Sequence, residues 1–197
     1  MNKVSALIIC IGVLCLNQTI FAASEVFQGS IYQVGPLKPI DSVPKLKEGD
    51  TAPDFELPAV AGGTVKLSDY RDKKNVVISF VPAAWTPVCS DQWPGYNIVE
   101  DIFTSHNAIL LGISVDNIPT LYAWTGKMGK LWFPILSDFW PHGAVADRYG
   151  VLRSNGTAER AIFIIDTKGI IRYINVNDIN RRPPLDEIVA ALKKLNS

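Results

Sequence analysis

Four short runs of β-branched and aliphatic residues limit the kind of sheet this chain can build. They are Val76–Val81 (VVISFV), Ile109–Val115 (ILLGISV), Ala161–Asp166 (AIFIID) and Ile170–Val176 (IIRYINV). The first two lack the in–out alternation of a half-exposed strand, so they read as strands buried on both faces. Thr167-Lys168-Gly169, between the last two, is hairpin chemistry. Between the first two, Ile98, Ile102 and Phe103 space as a helix face. Asn117 followed by Pro119 predicts a capped helix start carrying Leu121, Tyr122 and Trp124. Pro183-Pro184 introduces a helical stripe of Leu185, Ile188, Val189, Leu192 and Leu195, closed by Lys193 and Lys194. This order predicts an α/β fold, a mixed central sheet flanked by helices with an antiparallel end.

The regular pattern begins at Gly49, and what precedes it divides in two. Residues 1–22 follow the grammar of a secretory signal peptide. Lys3 gives the basic start, Val4–Leu16 the apolar run, Asn17–Thr19 a polar stretch, and Ala22, Ala23 and Ser24 the small residues of a cleavage site. The apolar run falls short of the ~20 residues that span a bilayer, although an uncleaved anchor stays open. Bulky residues before Cys10 and Cys15 argue against lipid attachment. Residues 23–48 hold Gly35-Pro36, Pro39 and Pro44 without periodicity and read as an extended arm. Residues 49–197 form one domain. The expected location is an exported space, a Gram-negative periplasm or similar.

Charge excludes little but helps. Lys plus Arg number 19 and Asp plus Glu 19; losing Lys3 leaves 18 − 19 = −1. No basic stripe points to nucleic acid. The cysteines say more. Cys10 and Cys15 lie in the signal, so the exported form would hold Cys89 alone and could form no internal disulfide. Such a thiol is reactive, paired with a partner, or a buried inert apolar residue. With one mature cysteine and only His106 and His142, no metal site and no cofactor are expected.

The surroundings of Cys89 favour reactivity. It lies just beyond the C-terminal end of a buried central strand, where a helix begins, and open α/β sheets bind their ligands there. Unpaired N–H groups and the dipole at a helix start favour thiolate over thiol. Thr86 puts a hydroxyl one turn away, giving T-x-x-C in FVPAAWTPVCSDQW, where a second cysteine would capture the thiol as a disulfide. That combination points to attack on an oxygen-containing substrate.

Pro82, Thr86 and Cys89 together make P-x-x-x-T-x-x-C, and this resembles the signature of the peroxiredoxins, the alkyl hydroperoxide reductase/thiol-specific antioxidant family. APDFELPAVAGGTVKLSDYRDKKNVVISFVPAAWTPVC is similar to the family's N-terminal half. ERAIFIIDTKGIIRYI is similar to its later hairpin, with Arg160 at the position of the family's arginine. The resemblance implies a thioredoxin-like fold and a thiol peroxidase for hydrogen peroxide and organic hydroperoxides. Cys89 would be the nucleophile, Arg160 the cation beside it, Thr86 the positioning hydroxyl, and Pro82 a shield without a donor. Trp85 stands where phenylalanine is common, and Gln92 where glutamate is frequent. Trp85, Gln92 and Trp93 are expected around the substrate pocket. With one thiol, a sulfenic acid at Cys89 would need an external thiol reductant, a small molecule or a thioredoxin-like protein. A homodimer is left open. The competing readings are an exported thiol–disulfide oxidoreductase, which wants a second cysteine, and a non-catalytic thioredoxin-like binding module.

Overall fold

The computed structural model describes Phe27 and residues 29–195. The expected signal segment, with Cys10 and Cys15, lies outside the described residues. A small hairpin comes first, β1 (Glu56–Pro58) and β2 (Thr64–Lys66), followed by a 3-10 turn at Leu67–Tyr70. Then come β3 (Asn75–Phe80), α1 (Pro87–Asn97), α2 (Glu100–Ser105), β4 (Ala108–Ser114) and α3 (Ile118–Gly126). The chain continues through β5 (Ile135–Ser137), α4 (Ala144–Arg148), β6 (Arg160–Ile165), β7 (Ile171–Asn177) and α5 (Leu185–Leu195).

Five strands form one mixed sheet in the order β5-β4-β3-β6-β7. The helical crossover after β3 returns β4 parallel to it, from Asn75↔Ala108 to Phe80↔Ile113. On the other side β6 runs antiparallel to β3, from Val76↔Ile165 to Phe80↔Ala161. The turn at Thr167–Gly169, with Gly169 at φ 80°, closes the β6–β7 hairpin.

Every residue of β3 and β6 is buried, because both sheet faces are covered. Val76, Ile78 and Phe80 enter one core with Leu111, Phe163 and Tyr149. Val77 and Val81 enter the opposite core with Trp93, Phe103, Trp124, Ile188 and Leu192 from the helices. Each such aliphatic or aromatic side chain contributes about 1.5–3 kcal/mol by leaving water.

Two expected helix faces differ. Ile98 and Phe103 do not share a helix. Val99 leaves helical geometry (φ −113°, ψ 30°), and the chain restarts as α2. Phe103 is fully buried while Ile98 is 83% exposed. In α3, Asn117 accepts from the Thr120 N–H as a cap, and Leu121, Trp124 and Thr125 face inward. Tyr122 is 69% exposed, since the position after Leu121 turns about 100° away on a helix of 3.6 residues per turn.

The arm before Gly49 has no regular structure from residue 31 to 47, yet it is tied down. The Tyr32 N–H donates to the Trp85 carbonyl at 2.8 Å, and the Pro39 carbonyl accepts from the Ile179 N–H at 3.0 Å. Lys38, Asp41 and Ser42 bind Arg153 and Glu159. The arm therefore crosses the end of the sheet where β3 finishes and β6 begins.

Candidate active site

Antiparallel pairing of β3 and β6 puts the start of β6 beside the end of β3. This brings Arg160 to Cys89 across 71 residues of chain. The Arg160 Nη2 donates to Cys89 Sγ at 3.4 Å. Its Nε donates to the Ile179 carbonyl at 3.1 Å, and its Nη1 donates to the Gln92 Oε1. Three of the five guanidinium N–H groups are thus committed, leaving 5 − 3 = 2. Arg160 is only 2% exposed and Cys89 is fully buried. In so dry a place a permanent cation acts strongly on the sulfur.

Gln92 lies behind the arginine rather than along the substrate path. Its Nε2 donates to Ser79 Oγ at 3.1 Å and to the Tyr96 hydroxyl at 3.3 Å. Burial pushes the Tyr96 hydroxyl well above the usual tyrosine range, so it stays protonated. Because Gln92 is neutral, it orients Arg160 without cancelling its charge.

Cys89 sits in the first turn of α1, after Pro87. Thr86 occupies the cap position, but its hydroxyl does not cap the helix. It donates to the Ala83 carbonyl at 2.9 Å. The hydrogen being spent there, the oxygen is left as an acceptor for an incoming O–H rather than a donor to sulfur. The first-turn amides receive no side-chain cap and remain available to an anionic oxygen. Asp116 steadies the approach to the helix. Its Oδ2 accepts from the Ala84 N–H at 2.8 Å and from Ser114 Oγ at 2.5 Å.

A cavity of about 510 Å³ opens beside this cluster. Pro82, Ala83, Thr86 and Arg160 are among the residues that line it. The expected pocket residues Trp85, Gln92 and Trp93 do not line it. Trp93 points into the core behind the sheet, where it packs 5.0 Å from Trp124 between ring centres. Trp85 takes a left-handed backbone (φ 61°), which aims its ring at Phe27 of the arm, edge-on at 6.2 Å. His106 and His142 bind the backbone carbonyls of Ile102 and Gly156, away from the cluster.

Two residues next to the site carried no motif in the sequence. Glu159 is fully buried and pairs with Arg153 at 2.5 Å. Its other oxygen accepts from the N–H groups of Asp41 and Ser42 at 2.6 and 2.8 Å. The available signal was a carboxylate directly before an arginine at the start of a buried strand.

The AhpC/TSA family profile matches residues 48–174. The chain belongs to the AhpC/TSA family. Alkyl hydroperoxide reductase E of Mycobacterium tuberculosis is 41% identical over 129 residues, 65% of this chain and 84% of that protein. The chloroplastic 2-cysteine peroxiredoxin of Chattonella marina var. antiqua is 35% identical over 159 residues, 76% of this chain and 80% of the other. Among solved structures, reduced 2-Cys peroxiredoxin of Plasmodium vivax superposes with a TM-score of 0.71 at 30% identity. That match covers 76% of this chain and 81% of that one. This peroxiredoxin is therefore a peroxidase of the oxidoreductase class with a thioredoxin-like fold. Two of these relatives are named for two cysteines, whereas Cys89 is the single free cysteine among the described residues.

Proposed function

We propose that this peroxiredoxin reduces hydrogen peroxide and organic hydroperoxides by a one-cysteine cycle in an exported, periplasmic setting. The observation that carries the reading is the Arg160 Nη2 at 3.4 Å from Cys89 Sγ. The Cys89 thiolate attacks the O–H oxygen of the hydroperoxide. An S–O bond forms, the O–O bond breaks, and the alkoxide or hydroxide takes a proton and leaves. The balance is Cys-S⁻ + ROOH + H⁺ → Cys-SOH + ROH. Arg160 has two N–H groups left to hold the peroxide oxygens as negative charge moves onto the leaving one. Thr86 accepts from the attacked O–H and sets its orientation. Pro82 lines the approach and offers no N–H to water.

Reduction then needs two external thiols. The first forms a mixed disulfide with Cys89 and releases water. The second frees the Cys89 thiol and leaves as the disulfide R′SSR′. The reductant is a small thiol or a thioredoxin-like protein. Export is supported by the signal-like residues 1–22 alone.

Stopped-flow consumption of peroxide by the reduced protein tests the reading. The expected result is a rate far above that of free cysteine, abolished in Cys89→Ser with an unchanged circular-dichroism spectrum. A wild type no faster than free cysteine sinks it and favours a binding module.

A further inference from the structure

The chemical groups of the site lie inside residues 48–174, the span matched by the family profile, but one wall of its cavity does not. Val34, Gly35, Pro36 and Leu37 of the arm line that wall, beside Ile179 and Asn180 from beyond β7. The cavity measures about 510 Å³. One water occupies roughly 30 Å³ of liquid, so hydrogen peroxide would fill a small part of it.

Several side-chain polar groups on the lining are spent on neighbouring polar groups. Asn180 Nδ2 donates to the Leu37 carbonyl at 3.0 Å and to Asp178 Oδ1 at 2.8 Å, while its Oδ1 accepts from the Leu37 N–H at 3.4 Å. Asn155 Oδ1 accepts from both the N–H and the hydroxyl of Thr157, at 3.0 and 2.8 Å. Pro36, Pro82 and Pro87, also on the lining, have no N–H to give. Arg160 and Thr86 offer a peroxide its donor and acceptor, while Val34, Pro36, Leu37, Val88 and Ile179 make the lining around them suited to an apolar body.

The wall is held in register with the reacting end. Glu159 directly precedes Arg160, and its carboxylate takes the N–H groups of Asp41 and Ser42. Its partner Arg153 donates to the Lys38 carbonyl at 2.7 Å. Ile179 donates its N–H to Pro39 and gives its carbonyl to Arg160 Nε. Arm and arginine thus share anchors on both sides, and the wall is preorganised rather than assembled on binding.

We infer that Val34–Leu37 is a substrate-selecting wall, which makes the site prefer hydroperoxides with an apolar body over hydrogen peroxide. This rests on the peroxidase reading above. It assigns the selection to a segment of the chain outside the family match.

Second-order rates of Cys89 oxidation are measured by stopped flow with hydrogen peroxide and with cumene hydroperoxide. Two variants are compared with wild type. Leu37→Ser removes an apolar surface. Gly35→Phe adds a ring at a lining position where a Cβ meets nothing within 4 Å and the backbone is not left-handed. The expected result is a fall in the cumene-to-hydrogen-peroxide rate ratio of about five- to thirty-fold in Leu37→Ser, the scale of one or two lost apolar contacts. Gly35→Phe should lower the same ratio by occupying the space. Equal losses for both peroxides, or an unchanged ratio in the variants, overturn the assignment. If Leu37→Ser fails to fold, Gly35→Phe decides alone. A wild type that oxidises no faster than free cysteine with either peroxide removes the peroxidase reading itself, and the wall with it, before any variant is compared.

Discussion

At the scale of single residues, the site depends on how one guanidinium is shared. Arg160 serves the sulfur, Gln92 and the Ile179 carbonyl at once, all buried. Replacing it with methionine removes a charge and leaves two buried acceptors without their donor. Arg160→Met should slow peroxide reduction about 10²-fold or more, the usual scale for losing a group aimed at developing charge. It should also lower stability by about 1–3 kcal/mol, from the stranded acceptors. Stopped-flow rates and urea unfolding read the two effects separately. Arg160→Lys keeps the charge but not the fork, so its rate should fall between the two. A variant with wild-type rate would remove Arg160 from the chemistry.

At the scale of elements, the packing of α1 on the sheet and the docking of the arm both make sharp predictions. Gly112 in β4 lets Trp93 of α1 lie directly on the strand. A Cβ there would sit 2.9 Å from Trp93 Cζ2 and 2.9 Å from Ile135 Cδ1. Gly112→Ala should cost about 1–3 kcal/mol by overpacking, measured as a lower urea midpoint. The arm is clasped partly by Asp41, which accepts from the Ser154 hydroxyl at 2.5 Å, the Ser154 N–H at 2.9 Å and Lys38 Nζ at 3.0 Å. The Ser154 hydrogen bonds, aided by Lys38, hold its carboxyl well below the usual carboxylate range. A depressed value in the folded state means the clasp is fully present above the ordinary carboxylate range. It is lost only as pH falls through the depressed value. Arm amides should therefore keep their protection from hydrogen exchange down to mild acid. Asp41→Asn should weaken that protection at neutral pH, with β3 unchanged. Equal exchange in the two proteins would show that Glu159 and Ile179 hold the arm without it.

For the whole molecule, the decisive prediction concerns the number of thiols. If export removes residues 1–22, Cys89 has no partner in its own chain. One equivalent of peroxide should then leave a sulfenic acid that dimedone traps, and no intramolecular disulfide. Turnover should begin only when an external thiol is added. Excess peroxide without thiol should carry Cys89 on to the sulfinic form, since nothing local condenses with the sulfenic acid. Intact mass spectrometry of the exported protein checks each point. A disulfide from Cys89 to Cys10 or Cys15 in that form would falsify the cycle.

Much of this was legible in the sequence, because it depends on local chemistry. Unbroken apolar runs such as VVISFV can satisfy themselves only between two covered faces, so the central strands could be read directly. Asn117 with Pro119 caps α3 through contacts three residues apart, and Thr167–Gly169 turns the hairpin within its own span. Pro82, Thr86 and Cys89 lie within eight residues, and their spacing alone carries the family resemblance. The meeting of Arg160 with Cys89 was expected only through that resemblance. The geometry behind it is the antiparallel pairing of β6 with β3, which brings together two residues 71 apart in the chain. Rotational detail was also out of reach. The left-handed backbone of Trp85 turns its ring to the arm, and the break at Val99 exposes Ile98. The course of the arm was the least readable feature. An aperiodic Gly- and Pro-containing segment has no face of its own to bury, so its path is set by acceptors elsewhere in the chain. Only the folded sheet brings Glu159, Arg153 and Ile179 together to hold it across the mouth of the site.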